Sequence, residues 1–259
     1  MPTRPSAPLG SPCWADLWTS DVEGSRRFYR ALFGWEADEP NPEFGGYFMF
    51  TRHGVPVAGG MGDMGEDMPA NNTWKIYLNT DDMDATVKSA EAEGAQVVVP
   101  GMPVADLGIQ AVFTDPTGAT VGAWQAGTFP GFTVLGESGA PSWFELYTRD
   151  HDTAVAFYRT VFRWDTNVLG DTDEFRYTTM RNPDGEDELA GITGPDFLPD
   201  DQAARWAMYW EVDDTDAAVA SVRDLGGSVV IDARDTPYGR LAMVTDPAGA
   251  EFNLRRSIR

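Results

Sequence analysis

Residues 13–18 alternate. Trp14, Asp16 and Trp18 fall on one face of a predicted strand, and Cys13, Ala15 and Leu17 on the other. Behind this strand Val22, Phe28, Ala31 and Leu32 recur at helical spacing. Asp21 precedes them where a side-chain oxygen can accept from the unpaired amides of a helix start. The same pattern returns at 142–164, with Trp143 for Trp14, Glu145 for Asp16, Asp150 for Asp21 and Phe157-Tyr158-Arg159 for Phe28-Tyr29-Arg30. Each copy reads as a strand running into an amphipathic helix whose Phe-Tyr pair is core and whose arginine is surface.

The rest of the chain follows the same duplication. Runs at 46–52 and 55–60 predict a hairpin turning at His53-Gly54, and 62–72 predicts a loop. A strand at 73–80, a helix at 81–94, a strand at 96–100 and a hairpin over 108–125, turning at Asp115-Pro116-Thr117-Gly118, complete the half. Residues 206–212 answer 74–80, 213–225 answer 81–93, and Asp246-Pro247-Ala248-Gly249-Ala250 answers the first Asp-Pro turn, at offsets of 129 to 132. The expectation is an α+β protein of four βαβββ modules: a flexible arm at 1–11, one domain at 12–126, a Gly/Pro/Ser-rich linker at 127–141 and a second domain at 142–259. Trp74 and Trp206 have the helix-facing parity of a core residue.

Composition narrows the function. The net charge of −22 excludes recognition of nucleic acid or of an anionic membrane surface, both of which require cationic faces. The single cysteine, Cys13, permits no internal disulfide and suits a reducing compartment. Without a basic-then-apolar leader or a spanning apolar run, the expected location is cytoplasmic. The sequence carries no Ser/His/Asp set and no dinucleotide fingerprint; the glycines of 59–65 do not open a helix. Met61, Met64 and Met68 read as loop packing or a lid.

The tandem modules, their strand–Asp-cap–helix–Phe-Tyr openings and their Asp-Pro-x-Gly closings resemble the vicinal oxygen chelate superfamily, which includes glyoxalase I, extradiol dioxygenases and bleomycin-resistance proteins. The resemblance spans residues 12–257. Within it the chain looks most like two-domain actinobacterial proteins labelled 27-kDa-antigen-like or "hydroxylase". It implies two glyoxalase-like curled sheets, each enclosing a cavity that in the superfamily's enzymes usually holds a divalent metal. The ligand positions the resemblance implies carry Trp14, Lys75 and Gly122 in one half and Trp143, Ala207 and Asn253 in the other. None keeps a usual donor, and His53 and His151 lie elsewhere. No metal and no cofactor is expected.

In this reading Trp14, Asp16, Trp18, Lys75, Tyr77 and Trp124 face the first cavity, with Asn79 beside them. Trp143, Glu145, Tyr147, Tyr209, Glu211, Asn253 and Arg255 face the second. Aromatic walls with few polar groups suit a flat, oxygenated ligand, a small aromatic metabolite or antibiotic. Asp16 and Glu145 are the candidate acid–base groups, since desolvation raises a carboxyl pKa. A metal-independent tailoring enzyme of secondary metabolism is the first expectation. A drug-sequestering protein is its rival, and methylglyoxal detoxification a weaker one. A structural reading also stands: the tryptophans fill the metal's volume, and the acids are satisfied internally by backbone amides, Lys75 or Arg255. Either a monomer or a homodimer fits.

Overall fold

The computed structural model describes residues 4, 6–65, 70–172, 175–181, 188–194, 198 and 202–258. The first half comprises β1 (Pro12–Trp18), α1 (Val22–Phe33), β2 (Glu36–Ala37), β3 (Phe48–Arg52), β4 (Val55–Met61), β5 (Thr73–Asn79), α2 (Met83–Ala92), β6 (Gln96–Val104), β7 (Gly108–Thr114) and β8 (Thr120–Ala126). The second repeats it as β9 (Pro141–Tyr147), α3 (His151–Val161), β10 (Thr166–Asp171), β11 (Arg176–Arg181), β12 (Glu188–Thr193), β13 (Arg205–Glu211), α4 (Thr215–Asp224), β14 (Ser228–Thr236), β15 (Gly239–Thr245) and β16 (Glu251–Arg256). Each half forms one eight-stranded sheet, ordered β2-β3-β4-β1-β5-β8-β7-β6 and β10-β11-β12-β9-β13-β16-β15-β14. The α+β architecture of two tandem curled sheets is thus as the duplication predicts. Each sheet joins two modules through an antiparallel central pair, β1 with β5 and β9 with β13.

Asp21 and Asp150 cap α1 and α3, accepting from the Gly24 and Thr153 amides at 2.8 and 3.2 Å. Local features differ from the sequence reading, and β6 runs on to Val104. The short strand β2 was not anticipated, and β3 begins at Phe48 because Tyr47 is drawn into an isolated bridge with Asn41. Of the methionines read as loop packing or a lid, Met61 ends β4, Met64 lies in the described part of the loop and Met68 lies outside the described residues.

One continuous core occupies the space between the sheets' outer faces and involves both halves. Trp74 on β5 meets Trp210 on β13 at 5.4 Å, and Trp35 meets the same indole at 4.7 Å. Trp74 and Trp206 are core residues, as their parity predicts; their Nε1 groups donate to the Tyr29 and Tyr158 hydroxyls. The described residues of the supposed arm are tied down. Asn79 Nδ2 donates to the Ala7 carbonyl at 2.7 Å, and Trp164 Nε1 donates to the Gly10 carbonyl at 2.8 Å. Trp35 makes the matching bond to Gly139, ahead of β9, also at 2.8 Å. Each half's tryptophan therefore holds the lead-in to the other half's first strand.

Candidate functional site

The alternation of β1 and β9 sends Cys13, Ala15 and Leu17 into the core and Trp14, Asp16 and Trp18 onto the inner face of the first sheet. Asp16 there accepts from the Tyr47 hydroxyl at 2.7 Å and from Trp14 Nε1 at 2.9 Å. In the second sheet Tyr177 OH donates to Glu145 Oε1 at 2.6 Å and accepts from Trp143 Nε1 at 3.1 Å. The duplicated unit is therefore a tryptophan, an acid and a tyrosine, and Tyr47 and Tyr177 were not singled out by the sequence reading. Their similar spacing from the two acids, 31 and 32 residues, was the available signal. A glycine makes room for each: a Cβ on Gly59 would lie 1.8 Å from the Tyr47 hydroxyl, and one on Gly191 2.4 Å from that of Tyr177.

Around this unit the cavities diverge. In the first, Lys75 stands opposite Asp16 across β1 and β5, with Nζ 5.2 Å from the Trp18 ring centroid. Trp18 Nε1 donates to the Gly62 carbonyl. The connection between the halves folds into the other end. Phe129 and Phe132 pack on Trp14 at 4.8 and 5.0 Å, and Trp124 Nε1 donates to the Phe129 carbonyl at 3.0 Å. Trp14 and Trp124 are thus covered by the chain itself and do not form open ligand walls, a correction to the expectation. Tyr77 is buried over Gly122, its hydroxyl 3.4 Å from Gln110 Oε1.

In the second cavity Ala207 replaces the lysine opposite the acid. Both oxygens of buried Glu145 are held by phenols, since Tyr209 OH donates to Oε2 at 2.7 Å. Tyr209 OH lies 2.9 Å from Tyr147 OH, which accepts from Asn253 Nδ2 at 3.4 Å. Burial pushes the Glu145 carboxyl above the ordinary carboxylate range, and the phenols oppose this only in part. Asp16 moves the same way for the same reason, with Tyr47 and then Lys75 opposing. Tyr147, Ala207, Met243 and Leu198 form a small apolar cluster separate from the main core. Exposed Phe175 stacks on Tyr177 at 5.9 Å, and exposed Tyr238 approaches it at 6.5 Å.

Two residues assigned to this cavity are not joined to the Glu145 network. Glu211 lies two residues past Tyr209 and accepts from the Ser257 amide and hydroxyl at 2.9 and 2.8 Å. Arg255 pairs with Glu211 at the same end of the sheet. Neither backbone amides nor Arg255 satisfy Glu145; phenols do.

Residues 140–254 match the family model of the glyoxalase/bleomycin resistance protein/dioxygenase superfamily, and residues 14–122 that of a glyoxalase-like domain. CFP32, a candidate glyoxylase of Mycobacterium tuberculosis, is 36% identical over 98% of this chain and 97% of its own. The chain belongs to the glyoxalase/bleomycin resistance protein/dioxygenase superfamily. Another member, the anthracycline biosynthesis protein DauV of Streptomyces sp. (strain C5), is 38% identical over 95% of this chain and 92% of its own. Among solved superfamily structures, the Mn(II)-bound glyoxalase of Novosphingobium aromaticivorans superposes with a TM-score of 0.63 at 18% identity, covering 95% of this chain and 82% of that one.

The residues present do not fit the metal such relatives carry. The register aligns Trp14, Tyr77 and Gly122 across the three central strands of one half, and Trp143, Tyr209 and Asn253 across those of the other. Lys75 and Ala207 stand two pairs further along, opposite Asp16 and Glu145. A Cβ on Gly122 would lie 2.2 Å from the Tyr77 ring, which leaves no space for a carboxylate there. Indole, phenol and ammonium are poor donors for a divalent cation beside imidazole and carboxylate. Among the described residues no three His, Cys, Asp or Glu side chains gather to hold one. Among the same residues no helix is long and apolar enough to cross a membrane.

Proposed function

We propose that the second cavity binds a flat, oxygenated aromatic molecule and that Glu145 moves a proton on it without a metal. The observation that carries this reading is the Glu145 carboxyl, buried and gripped by Tyr177 and Tyr209 in an aromatic-lined curl. Hydroxyl hydrogens rotate freely between partners. When Glu145 is ionised, both phenols donate to it. When it is protonated, it donates to Tyr209 and that hydroxyl turns to Tyr147. The acid therefore takes up or releases a proton without losing a partner, which is what an acid–base group acting on an enol or phenol requires. Trp143, Tyr177 and exposed Phe175 and Tyr238 supply ring faces for stacking. The similarity to a protein named for anthracycline biosynthesis supports an aromatic metabolite as the ligand.

A second reading rests on the same bonds. Because both Glu145 oxygens already have donors, the cavity also suits capture of an aromatic compound without chemistry. Native mass spectrometry of the protein isolated from its producing host is expected to find a retained aromatic compound. Incubation with that compound separates the readings. Conversion by the wild type and not by Glu145→Gln, with affinity kept within about threefold, supports catalysis. Release of the compound unchanged by the wild type leaves capture as the function.

A further inference from the structure

The chain has two lysines. Lys88 is exposed on α2, whereas Lys75 lies on β5 with its amine over the ring of an inner-face tryptophan. Lys75 is half-buried, faces Asp16 across the β1–β5 pair, and rests over the Trp18 ring. Its Nζ makes no hydrogen bond or close ion pair among the described residues. An ammonium in that setting is held by an indole face and by an acid beyond contact distance, not by direct donors. Burial lowers the Lys75 pKa, and the nearby Asp16 charge offsets this only partly. Tyr47 OH and Trp14 Nε1 hold Asp16, so its carboxyl is fixed on the strand position opposite Lys75. Trp18 is also half-buried, so part of it is reachable from solvent.

We propose that Lys75 is a carbonyl-capturing amine, forming an imine with an aromatic aldehyde that stacks on Trp18. The neutral amine adds its lone pair to the carbonyl carbon, and the carbonyl π electrons move to oxygen. Asp16 takes the proton leaving nitrogen and returns one to that oxygen through a bridging water, since the two groups lie beyond contact distance. The second proton on nitrogen then passes by the same route to Asp16 and on to the carbinolamine hydroxyl, which leaves as water while the nitrogen lone pair forms the carbon–nitrogen double bond. Aldehyde and amine become imine and water, and nothing is oxidised or reduced. In the second half Ala207 stands where Lys75 does, so this chemistry belongs to the first cavity and is independent of the function proposed for the second.

The test uses the whole chain with benzaldehyde and sodium cyanoborohydride, which delivers hydride to the imine carbon and makes the link permanent. Peptide mapping then compares Lys75 with Lys88 in the same molecules. At about pH 7 Lys75 is expected to carry clearly more label than Lys88, because burial favours its neutral amine and Trp18 holds the aldehyde beside it. Equal labelling, or a preference for Lys88, overturns the proposal. The wild-type ratio needs no variant, so a folding failure cannot obscure it. Asp16→Asn removes the charge that keeps the amine protonated. Slower labelling of Lys75 in that variant supports the proton shuttle, and faster labelling shows that Asp16 is only a counter-charge and overturns its part in the step.

Discussion

Tyr158 donates its hydroxyl to Asp115 Oδ2 at 2.8 Å, so a helix of the second half is bonded to the Asp-Pro turn of the first. The reciprocal pair, Tyr29 and Asp246, closes at 3.2 Å. The Phe-Tyr-Arg and Asp-Pro-x-Gly motifs are thus complementary ends of two cross-half bonds. Each aspartate also organises its own turn, Asp115 accepting from the Thr117 and Ala119 amides and Asp246 from those of Ala248 and Ala250.

Tyr158→Phe removes a buried hydroxyl and leaves both Asp115 Oδ2 and Trp206 Nε1 without that partner. Urea denaturation is expected to show a loss of about 1–3 kcal/mol. Tyr29→Phe should cost less, because its bonds to Asp246 and from Trp74 are both 3.2 Å. Equal losses would contradict the difference in geometry.

Glu145 carries a pH signature. Its folded pKa is raised, so the protonated form favours the fold: this contribution is complete below the unfolded-state pKa and is lost as pH rises through the folded one. Glu145→Gln removes that titration. The wild type should lose stability relative to the variant on going from about pH 4 to about pH 8, read as diverging urea midpoints. A constant difference across that range would mean that the carboxyl is not desolvated.

Gly191→Ala places a methyl where the Tyr177 hydroxyl now lies, 2.4 Å from the added carbon. The tyrosine must leave Glu145, at a cost of about 1–3 kcal/mol for overpacking. Thermal denaturation should report that loss, and binding of the retained aromatic compound should weaken at least tenfold if the second cavity holds it.

Cys13 is fully buried, its Sγ 3.3 Å from the Tyr77 carbonyl, and burial pushes its thiol pKa up to about 12. Thiol-reactive probes should modify it only as fast as the protein opens. Rapid labelling of native protein would show that β1 is not packed as described.

Element order was legible because period-two and helical patterns are local, and the duplication checked each assignment against its copy. The inner faces of β1 and β9 were legible for the same reason. Where along those faces space remains was not, because cover comes from distant segments. Trp124 has inward parity but meets Phe129 of the connection, and Glu211 has it but meets Ser257. Tyr47 was read only as part of the run 46–52, although Tyr177 stands 32 residues from Glu145, close to the 31 between Tyr47 and Asp16. The Pro- and Ser-rich composition of the first residues suggested looseness, but their carbonyls serve Asn79 and Trp164.

Phe129 and Phe132 bring a last consequence. The peptide that joins the halves is also the tenant of one of their two hollows, so the asymmetry between sister folds resides in connectivity as much as in side chains. A circular permutant cut inside that peptide would uncover the end of the first hollow where Trp14 lies while sparing its twin.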